Sequence, residues 1–136
     1  MTQSKKDVVV AFYEQVLNAR NLNKVDEFLS PLYLDHNAFA GMDPHREGFK
    51  EIFAGTFAGF PDFSSTIQQI VAEEDWVVVR EKMEGTQQGE FMGMSPTGKK
   101  FSVQAINMLK VVDNQIVERW GNFDEMELMK QLGITP

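Results

Sequence analysis

The stretch that decides the fold is Phe101-Ser-Val-Gln-Ala-Ile-Asn-Met-Leu-Lys-Val111, followed by Asp113-Asn114 and by a second extended segment, Gln115 to Phe123. Apolar residues occupy every second position of the first segment, and this period of two predicts a β-strand with one buried face. The Asp-Asn pair is typical of a tight turn between antiparallel strands. The last third of the chain therefore predicts a β-hairpin that ends just before Asp124.

Upstream of this hairpin the period changes to that of helices. Ser4 and Asp7 form a capping pattern at the start of a first helix, whose apolar face includes Tyr13. A short second helix is predicted from Asn23 to Pro31, because proline cannot continue a helix. Asp43-Pro44 predicts the start of a third helix.

The third helix carries a buried stripe of phenylalanines that includes Phe53. Two strands are predicted after it, over residues 63–73 and 76–83, and then a long connection, Gly85 to Gly98, with an extended middle at residues 90–92. A short helix from Asp124 to Gln131 ends the chain, closed by Gly133. Helices followed by a meander of strands indicate an α+β fold, in which a curved sheet packs on the helices and leaves a concave pocket.

Composition limits the classes of function. With 136 residues, 43% of them hydrophobic, the chain can bury a core without disulfides, and we expect one domain over residues 1–136. The absence of cysteine excludes a disulfide scaffold and a cysteine nucleophile. The net charge of −7 disfavours nucleic acid and anionic membranes as partners. The N-terminus lacks the apolar core of a secretory signal and no apolar run is long enough to span a membrane, so a cytoplasmic location is expected.

Two motifs that could bind ligands have simpler interpretations. Gly93 to Lys100 is one residue short of a phosphate-binding P-loop and precedes a strand rather than a helix, so we interpret it as a turn. The two histidines, His36 and His45, have no HExxH pattern around them, and no metal site is predicted. His36 follows an extended segment near the expected mouth of the pocket, where a structural role and a contact with a ligand are both open.

Asp124 and Asn107 are the polar residues whose positions suggest chemistry. Asp124 follows an apolar strand and lies four residues after Trp120, so its carboxylate could be a base at the floor of a dry pocket. Alternatively, Asp124 is the N-cap of the last helix, which would contribute about 1 kcal/mol. Asn107 interrupts an otherwise apolar strand face, and it could bind a ligand oxygen or another protein group. Methionines and phenylalanines, among them Met108 and Phe91, could line the pocket or belong to an ordinary core.

The chain resembles the SnoaL-like polyketide cyclases of the nuclear-transport-factor-2-like superfamily over about residues 5 to 133. The shared features, in chain order, are Pro31-x-Tyr33-x-Asp35-His36, Phe60-Pro61-Asp62, Gly85-Thr-x-x-Gly89-x-Phe91-x-Gly93-x-x-Pro96-Thr97-Gly98-Lys99 and Ile116-Val-Glu-x-Trp120-Gly-x-x-Asp124-x-x-x-Leu128-Met-x-Gln131-Leu-Gly133. The resemblance implies a cone-shaped α+β barrel around a hydrophobic pocket, assembled as a homodimer or homotetramer. It also implies intramolecular aldol cyclisation of a polyketide ester without metal or cofactor, with Asp124 as general acid/base and His36 at the pocket.

On this basis the sequence predicts an enzyme that removes a proton next to a carbonyl of a small apolar or polyketide-like substrate, with cyclisation or isomerisation as the outcome. Asp124 would take the proton, and His36 or Asn107 would stabilise the enolate oxygen. The residues expected to contact the substrate are Asn107, Trp120, Tyr13, Phe91, Met108 and Phe53. Ketosteroid isomerase, a well-known enzyme of the same broad fold, uses related logic.

Two other classes of function stay open. The first is a non-catalytic ligand-binding or dimerisation module, in which Asp124 is only a helix cap. The second is an epoxide hydrolase, which is expected to need an Asp-Arg-Asp cluster. Arg80 and Arg119 are the strand arginines available for such a cluster, and neither has an obvious carboxylate partner in the sequence.

Overall fold

The structure is a computed structural model that describes residues 4–134. Its helical elements are α1 (Lys5–Phe12), a π-helical segment (Tyr13–Leu17), a 3₁₀ turn (Leu22–Lys24), α2 (Val25–Phe28), α3 (Arg46–Gly59) and α4 (Glu125–Gln131). Its strands are β1 (Leu29–Asp35), β2 (Ser64–Glu73), β3 (Trp76–Thr86), β4 (Lys100–Val112) and β5 (Gln115–Phe123). Helices precede most of the strands, as the sequence predicts.

The five strands form one mixed sheet in the order β1-β5-β4-β3-β2. All neighbouring pairs are antiparallel except β1 and β5, which are parallel. The sheet does not close on itself, because β1 and β2 are its two edges. The predicted α+β class with a mostly antiparallel sheet is therefore confirmed, and the cone is an open one.

The start of the first helix follows its predicted chemistry. The hydroxyl of Ser4 accepts a hydrogen bond from the Asp7 amide at 3.1 Å. At its other end the helix widens into the π-helical segment, where the Asn18 amide donates to the Tyr13 carbonyl, five residues back, at 2.8 Å. This wider turn holds Tyr13 in the interior.

The second and third helices differ from their predictions. The second helix ends at Phe28, and Pro31 lies inside β1 rather than stopping a helix. Proline is tolerated there because β1 is an edge strand. The third helix begins at Arg46 instead of Asp43-Pro44, since the Asp43 carboxylate is used in a local turn, where it accepts from the His45 amide at 2.9 Å.

The connection between β3 and β4 is also more compact than predicted. The strand β3 runs on to Thr86, and the expected extended segment at residues 90–92 is a tight turn, in which Phe91 and Met94 exchange backbone hydrogen bonds. Met92 has a positive φ of 50° in this turn. Gln87 is fully buried, and its amide oxygen accepts a hydrogen bond from the Thr97 hydroxyl at 2.8 Å.

The sheet has two faces, which we call inner and outer. Burial alternates along β4: odd-numbered residues point to the inner face, which the helices cover, and even-numbered residues point to the outer face. Two hydrophobic clusters occupy the inner face. The first contains Val8, Val9, Phe12, Val16, Val25, Val77, Val79, Leu109 and Ile116, and the second Phe60, Phe63, Phe101, Val103 and Leu132. Polar side chains lie between these clusters.

Candidate active site

The sheet separates the residues that the sequence groups into one pocket. Asn107 and Met108 are neighbours in β4, and strand alternation sends their side chains to opposite faces. Asn107 is 7% exposed on the inner face, whereas Met108 is exposed on the outer face. The predicted site therefore divides into an interior part and an exterior part.

The interior part is a row of five polar side chains, one from each strand, which we call the polar row. In the spatial order of the strands its members are Asp35, Arg119, Asn107, Glu81 and Ser65. A continuous chain of hydrogen bonds joins them, and among residues 4–134 no buried side-chain nitrogen or oxygen lacks a partner. A buried row of this kind is expected to be rigid, since each member holds the next.

Glu81 is the centre of the polar row. It is 3% exposed, and its two oxygens accept from Ser65 Oγ at 2.5 Å and from Asn107 Nδ2 at 2.5 Å. Burial raises the pKa of the Glu81 carboxyl, against the lowering effects of hydrogen bonds from Ser65, Tyr13 and Asn107 and of the Arg119 charge. A carboxylate with a raised pKa in a water-poor setting is suited to accept a proton from carbon.

Tyr13 joins the polar row from the helical side. Its hydroxyl oxygen accepts from Asn107 Nδ2 at 3.3 Å. Burial, followed by the nearby Glu81 charge, raises the pKa of the Tyr13 hydroxyl well above its usual value. The hydroxyl is therefore protonated at neutral pH and can donate a hydrogen bond to an oxygen that becomes negative.

The polar row becomes less buried toward β1. The Arg119 and Asp35 side chains are 23% and 19% exposed, and Arg119 Nη1 contacts both oxygens of Asp35 at 2.8 Å. The row thus runs from buried Glu81 to a partly open end at Asp35 and Arg119.

The exterior part is a groove of about 560 Å³ on the outer face, within the size range of small-molecule sites. Its walls are formed by Asn37, Val78, Gln104, Ala105, Ile106, Met108, Trp120, Gly121, Asn122, Phe123 and Asp124. Trp120 is 47% exposed and pairs across the strands with Met108. The register of β4 and β5 thus places both residues outside the interior, and contact of either with a substrate stays a prediction.

Asp124 lies at one end of this groove, directly after β5. The side chain is exposed, and its Oδ1 accepts from the Glu127 amide at 3.1 Å. These are the contacts of an N-cap on α4, one of the two interpretations that the sequence leaves open. Its role as a base stays a prediction.

His36 is also on the outer side of the sheet. Its ring stacks on Trp120, with centroids 4.0 Å apart and an angle of 8° between the planes. Its Nε2 lies 2.7 Å from a Glu118 oxygen. The structure thus groups His36 with Trp120 and the groove, and separates it from Asn107 and Tyr13.

Phe53 and Phe91 belong to aromatic clusters. Phe53 packs against Phe49 and Phe63, with ring centroids 4.6 Å and 6.0 Å away. Phe91 packs edge-on against Phe60 at 4.9 Å. These contacts are those of a core, the alternative stated above for the phenylalanines, and a role in contacting substrate stays a prediction.

Four members of the polar row are not among the site residues that the sequence predicts: Asp35, Arg119, Glu81 and Ser65. The sequence does indicate that Glu81 is unusual, because it lies between Val79 and Met83 on what is otherwise an apolar strand face. Arg119 has no obvious carboxylate partner in the sequence, and the structure supplies one in Asp35. The pairing needs the parallel contact of β1 with β5, and no local pattern in the sequence indicates it.

Neither a metal site nor a membrane span stands out in the described part of the chain. Within residues 4–134 no three His, Asp or Glu side chains are arranged to hold a metal ion. No described helix is both long enough and apolar enough to cross a bilayer.

Comparison with known proteins decides the family. The sequence profile of the SnoaL-like polyketide cyclases matches residues 7–132. The chain belongs to the SnoaL-like polyketide cyclase family. The predicted family is therefore confirmed, and it supports enzyme activity of the cyclase type.

Relatives within the SnoaL-like family include named cyclases. Nogalonic acid methyl ester cyclase of Streptomyces nogalater is 25% identical over 119 residues, which cover 85% of this chain and 88% of that protein. Aklanonic acid methyl ester cyclase AcmA of Streptomyces galilaeus is 28% identical, covering 91% of this chain and 90% of that protein. Among solved structures, wild-type IdmH from Streptomyces antibioticus superposes with a TM-score of 0.84 at 34% identity, covering 97% of this chain and all of that one.

Proposed function

We propose that this chain is a cofactor-independent cyclase that removes a proton next to a carbonyl of a polyketide-like ester and closes a carbon ring by aldol addition. Its family and its relatives, two of which are named as methyl ester cyclases, support the reaction class. The observation that carries the choice of base is the burial of Glu81, with its raised pKa, at the centre of the polar row.

In this mechanism Glu81 accepts the proton from the carbon beside the carbonyl, and an enolate forms. The Tyr13 hydroxyl, which donates to the Glu81 carboxylate before the reaction, turns to the enolate oxygen once Glu81 is protonated, because negative charge now develops there. The enolate carbon then attacks a second carbonyl carbon of the same molecule, so that one carbon–carbon bond forms and an alkoxide results. Glu81 returns its proton to this alkoxide, and no other reactant is needed.

The partly open end of the polar row supports an approach of substrate from the β1 side. Arg119 and Asp35 are the more exposed members, so a substrate oxygen meets the Arg119 guanidinium before it reaches Asn107 and Glu81. Guanidinium groups bind oxygen anions and carbonyl oxygens well because they present several N–H donors in one plane.

Asp124, with His36, is the second candidate for the base, as the family resemblance implies. The groove supports this assignment, because Asp124 lies in a cavity of suitable size beside Trp120 and Met108. We rank Asp124 second because it is exposed to solvent, whereas Glu81 is buried.

Matched variants of the two carboxylates test the proposal. Purified wild type, E81Q and D124N are given aklanonic acid methyl ester and nogalonic acid methyl ester, with a chelator present, and ring closure is followed by chromatography. We expect E81Q to lower kcat by roughly 10²- to 10⁴-fold, the usual contribution of a general base, and D124N to stay close to wild type. The reverse result assigns the reaction to Asp124 and rejects the role of Glu81.

The same experiment separates the other classes of function. Binding of both esters without turnover by wild type supports a non-catalytic module. Conversion of an epoxide probe to a diol supports the epoxide hydrolase. For that class the structure provides one direct carboxylate–arginine pair, Asp35 with Arg119, and connects Glu81 to it only through Asn107.

We also propose that the chain forms a homodimer through the outer face. An apolar row crosses the face at the groove: Val71 pairs with Val78, Val78 with Met108, and Met108 with Trp120. Charged residues near this row are paired with each other, as in Lys110–Glu118 at 3.7 Å, so they do not oppose contact between two copies. The predicted cytoplasmic location rests on composition alone and stays a prediction.

Light scattering of two variants tests the dimer. I106K places a charge in the exposed centre of the outer face, and M126K places the same charge on an exposed residue of α4. We expect I106K to be monomeric and M126K to keep the wild-type mass. Equal masses for all three proteins contradict this interface.

A further inference from the structure

We propose that the Asp35–Arg119 ion pair is a positioning device: it fixes which end of the Asn107 amide faces Glu81, and so keeps Glu81 ready to accept a proton. The effect on catalysis rests on the proposed function, whereas the effect on Glu81 itself does not.

The orientation of Asn107 follows from the chemistry of Arg119. Arg119 Nε lies 3.0 Å from Asn107 Oδ1, and a guanidinium can only donate hydrogen bonds. A flipped amide would place its NH₂ group against this donor. The oxygen therefore faces Arg119, and Nδ2 faces Glu81 at 2.5 Å. A donor in this place favours the ionised form of Glu81, which can only accept.

Arg119 is in turn held from two sides. Asp35 accepts from its Nη1 with both oxygens at 2.8 Å, and the Asn37 amide fixes Asp35 by donating to Oδ1 at 2.9 Å. On β5 the backbone lies close at Gly121, where an added Cβ would collide with Asn107 Oδ1 and come within 2.7 Å of Arg119 Nη2. The guanidinium and the amide oxygen therefore fill the space that any larger residue at this position would need.

Arg119 is the cation that faces Glu81. The other groups around this carboxylate are the Ser65 hydroxyl from β2, the Tyr13 hydroxyl from the π-helical segment and the Asn107 amide from β4. All three are uncharged, since the Tyr13 hydroxyl is protonated at neutral pH. The Arg119 charge lowers the pKa of Glu81 and so opposes the effect of burial. If Arg119 moves away, we expect the pKa of Glu81 to rise further.

Substitution of the outer partner is the sharpest test, because Asp35 touches neither Glu81 nor Asn107 directly. D35N keeps an oxygen for the Asn37 amide but loses the charge that holds Arg119. R119K keeps the positive charge but loses the planar guanidinium with its several N–H donors. Two outer-face residues serve as controls: E118Q for the carboxylate and R80Q for the arginine, whose Nη1 donates to Gln68 at 2.9 Å.

Two measurements are made on each protein. The first is the pH dependence of kcat with aklanonic acid methyl ester. In D35N and R119K we expect kcat at neutral pH to fall roughly 10- to 100-fold, as a misplaced catalytic group does, and the loss to shrink as the pH rises. The second is the titration of the Glu81 carboxyl by carbon NMR, assigned with E81Q. We expect its midpoint to move to higher pH in D35N and to stay in place in E118Q and R80Q.

The outcomes distinguish this inference from the proposed function. If D35N shifts the Glu81 titration while E81Q keeps full activity, the positioning device stands and the assignment of the base fails. If the titration and the pH profile of D35N both match wild type, the positioning device is rejected, whatever E81Q does. A uniform loss of kcat at every pH, with an unmoved titration, also overturns it, because that is the result of a purely structural ion pair. If R119K does not fold, D35N with its E118Q control decides alone.

Discussion

At the level of Asn107 and Met108 the two faces of the sheet reverse the usual distribution of polarity, although the rest of the inner face is apolar. Inside, under the helices, a hydrogen-bonded polar row from Asp35 to Ser65 crosses all five strands. Outside, facing solvent, the apolar row from Val71 to Trp120 crosses four strands, and the His36 ring stacks on its last member. Both rows run across the strands at nearly the same level of β4, where Asn107 and Met108 are adjacent.

We interpret this local reversal as an adaptation for function rather than for stability. Removing charged groups from water costs free energy. A protein in which apolar residues of similar volume replace a buried ion pair is often no less stable. A contiguous apolar row exposed to water is typical of an interaction surface. We therefore interpret the inner face as the reaction centre and the outer face as a contact surface.

The largest expected effect tests whether the polar row depends on its middle member. N107L removes the donor to Glu81 and the acceptor for Arg119, so two charged groups lose a partner at once. We expect a loss of about 3 kcal/mol or more in the free energy of unfolding, measured with urea. The control is the adjacent residue on the other face: M108A should change the value by no more than about 0.5 kcal/mol. Similar losses for both variants would show that the two faces do not differ in this way.

A second comparison concerns the space behind the polar row. G121A introduces a methyl group where Asn107 and Arg119 already lie, and we expect it to cost about 1–3 kcal/mol in urea unfolding, as overpacking does. G55A is the control, because nothing lies within 4 Å of a Cβ added at that position of α3. Alanine is the better helix former, so G55A should stabilise by about 0.5–1 kcal/mol. A tolerated G121A would show that the row can shift.

A smaller effect separates the two interpretations of Asp124. D124A removes the acceptor for the Glu127 amide, and thermal unfolding should report a loss of about 1 kcal/mol. D124N keeps a side-chain oxygen and should unfold close to wild type, because asparagine is an equally good N-cap. If D124N retains both stability and activity while D124A loses only stability, Asp124 is a cap alone.

The smallest expected change is a gain in stability rather than a loss, and it depends on pH. Because burial raises the pKa of Glu81, the folded chain holds this proton more tightly than the unfolded chain, whose value is near 4.5. The resulting stability is fully present below the unfolded pKa and is lost as the pH rises through the folded pKa. E81Q has no such proton to lose. Its melting temperature relative to wild type should therefore increase from about pH 4 to about pH 7. A difference that is constant over this range would show that Glu81 titrates normally.

Local patterns in the sequence predict the strands and the faces well. The alternation of β4 identifies Asn107 as the polar residue on a buried apolar face, and the structure confirms it. The same alternation assigns Met108 to the other face, where the structure places it. The Asp113-Asn114 turn is confirmed as well, with both residues at positive φ.

Contacts between distant segments could not be predicted in the same way. Arg119 meets Asp35 because β1 inserts beside β5 in parallel, and this pairing joins residues 84 positions apart in the chain. The start of the third helix was missed for a related reason, since the Asp43 carboxylate accepts from the His45 amide in a turn and leaves the helix to begin later. Local propensity describes what a residue can do, and tertiary contacts decide which of its options is used.

The wide turn at Tyr13–Leu17 lets the first helix hold one residue more than a regular helix of the same length. A regular α-helix advances by about 100° per residue, so removing one residue from it rotates every upstream side chain by that angle relative to the sheet. The π-helical turn takes up such a residue, because its hydrogen bonds span five residues instead of four. Deleting one amino acid after Tyr13 within this turn would therefore restore α-helical geometry and leave the buried face of the first helix against the sheet. The same deletion just before Tyr13, in the regular part of the helix, would turn that face away.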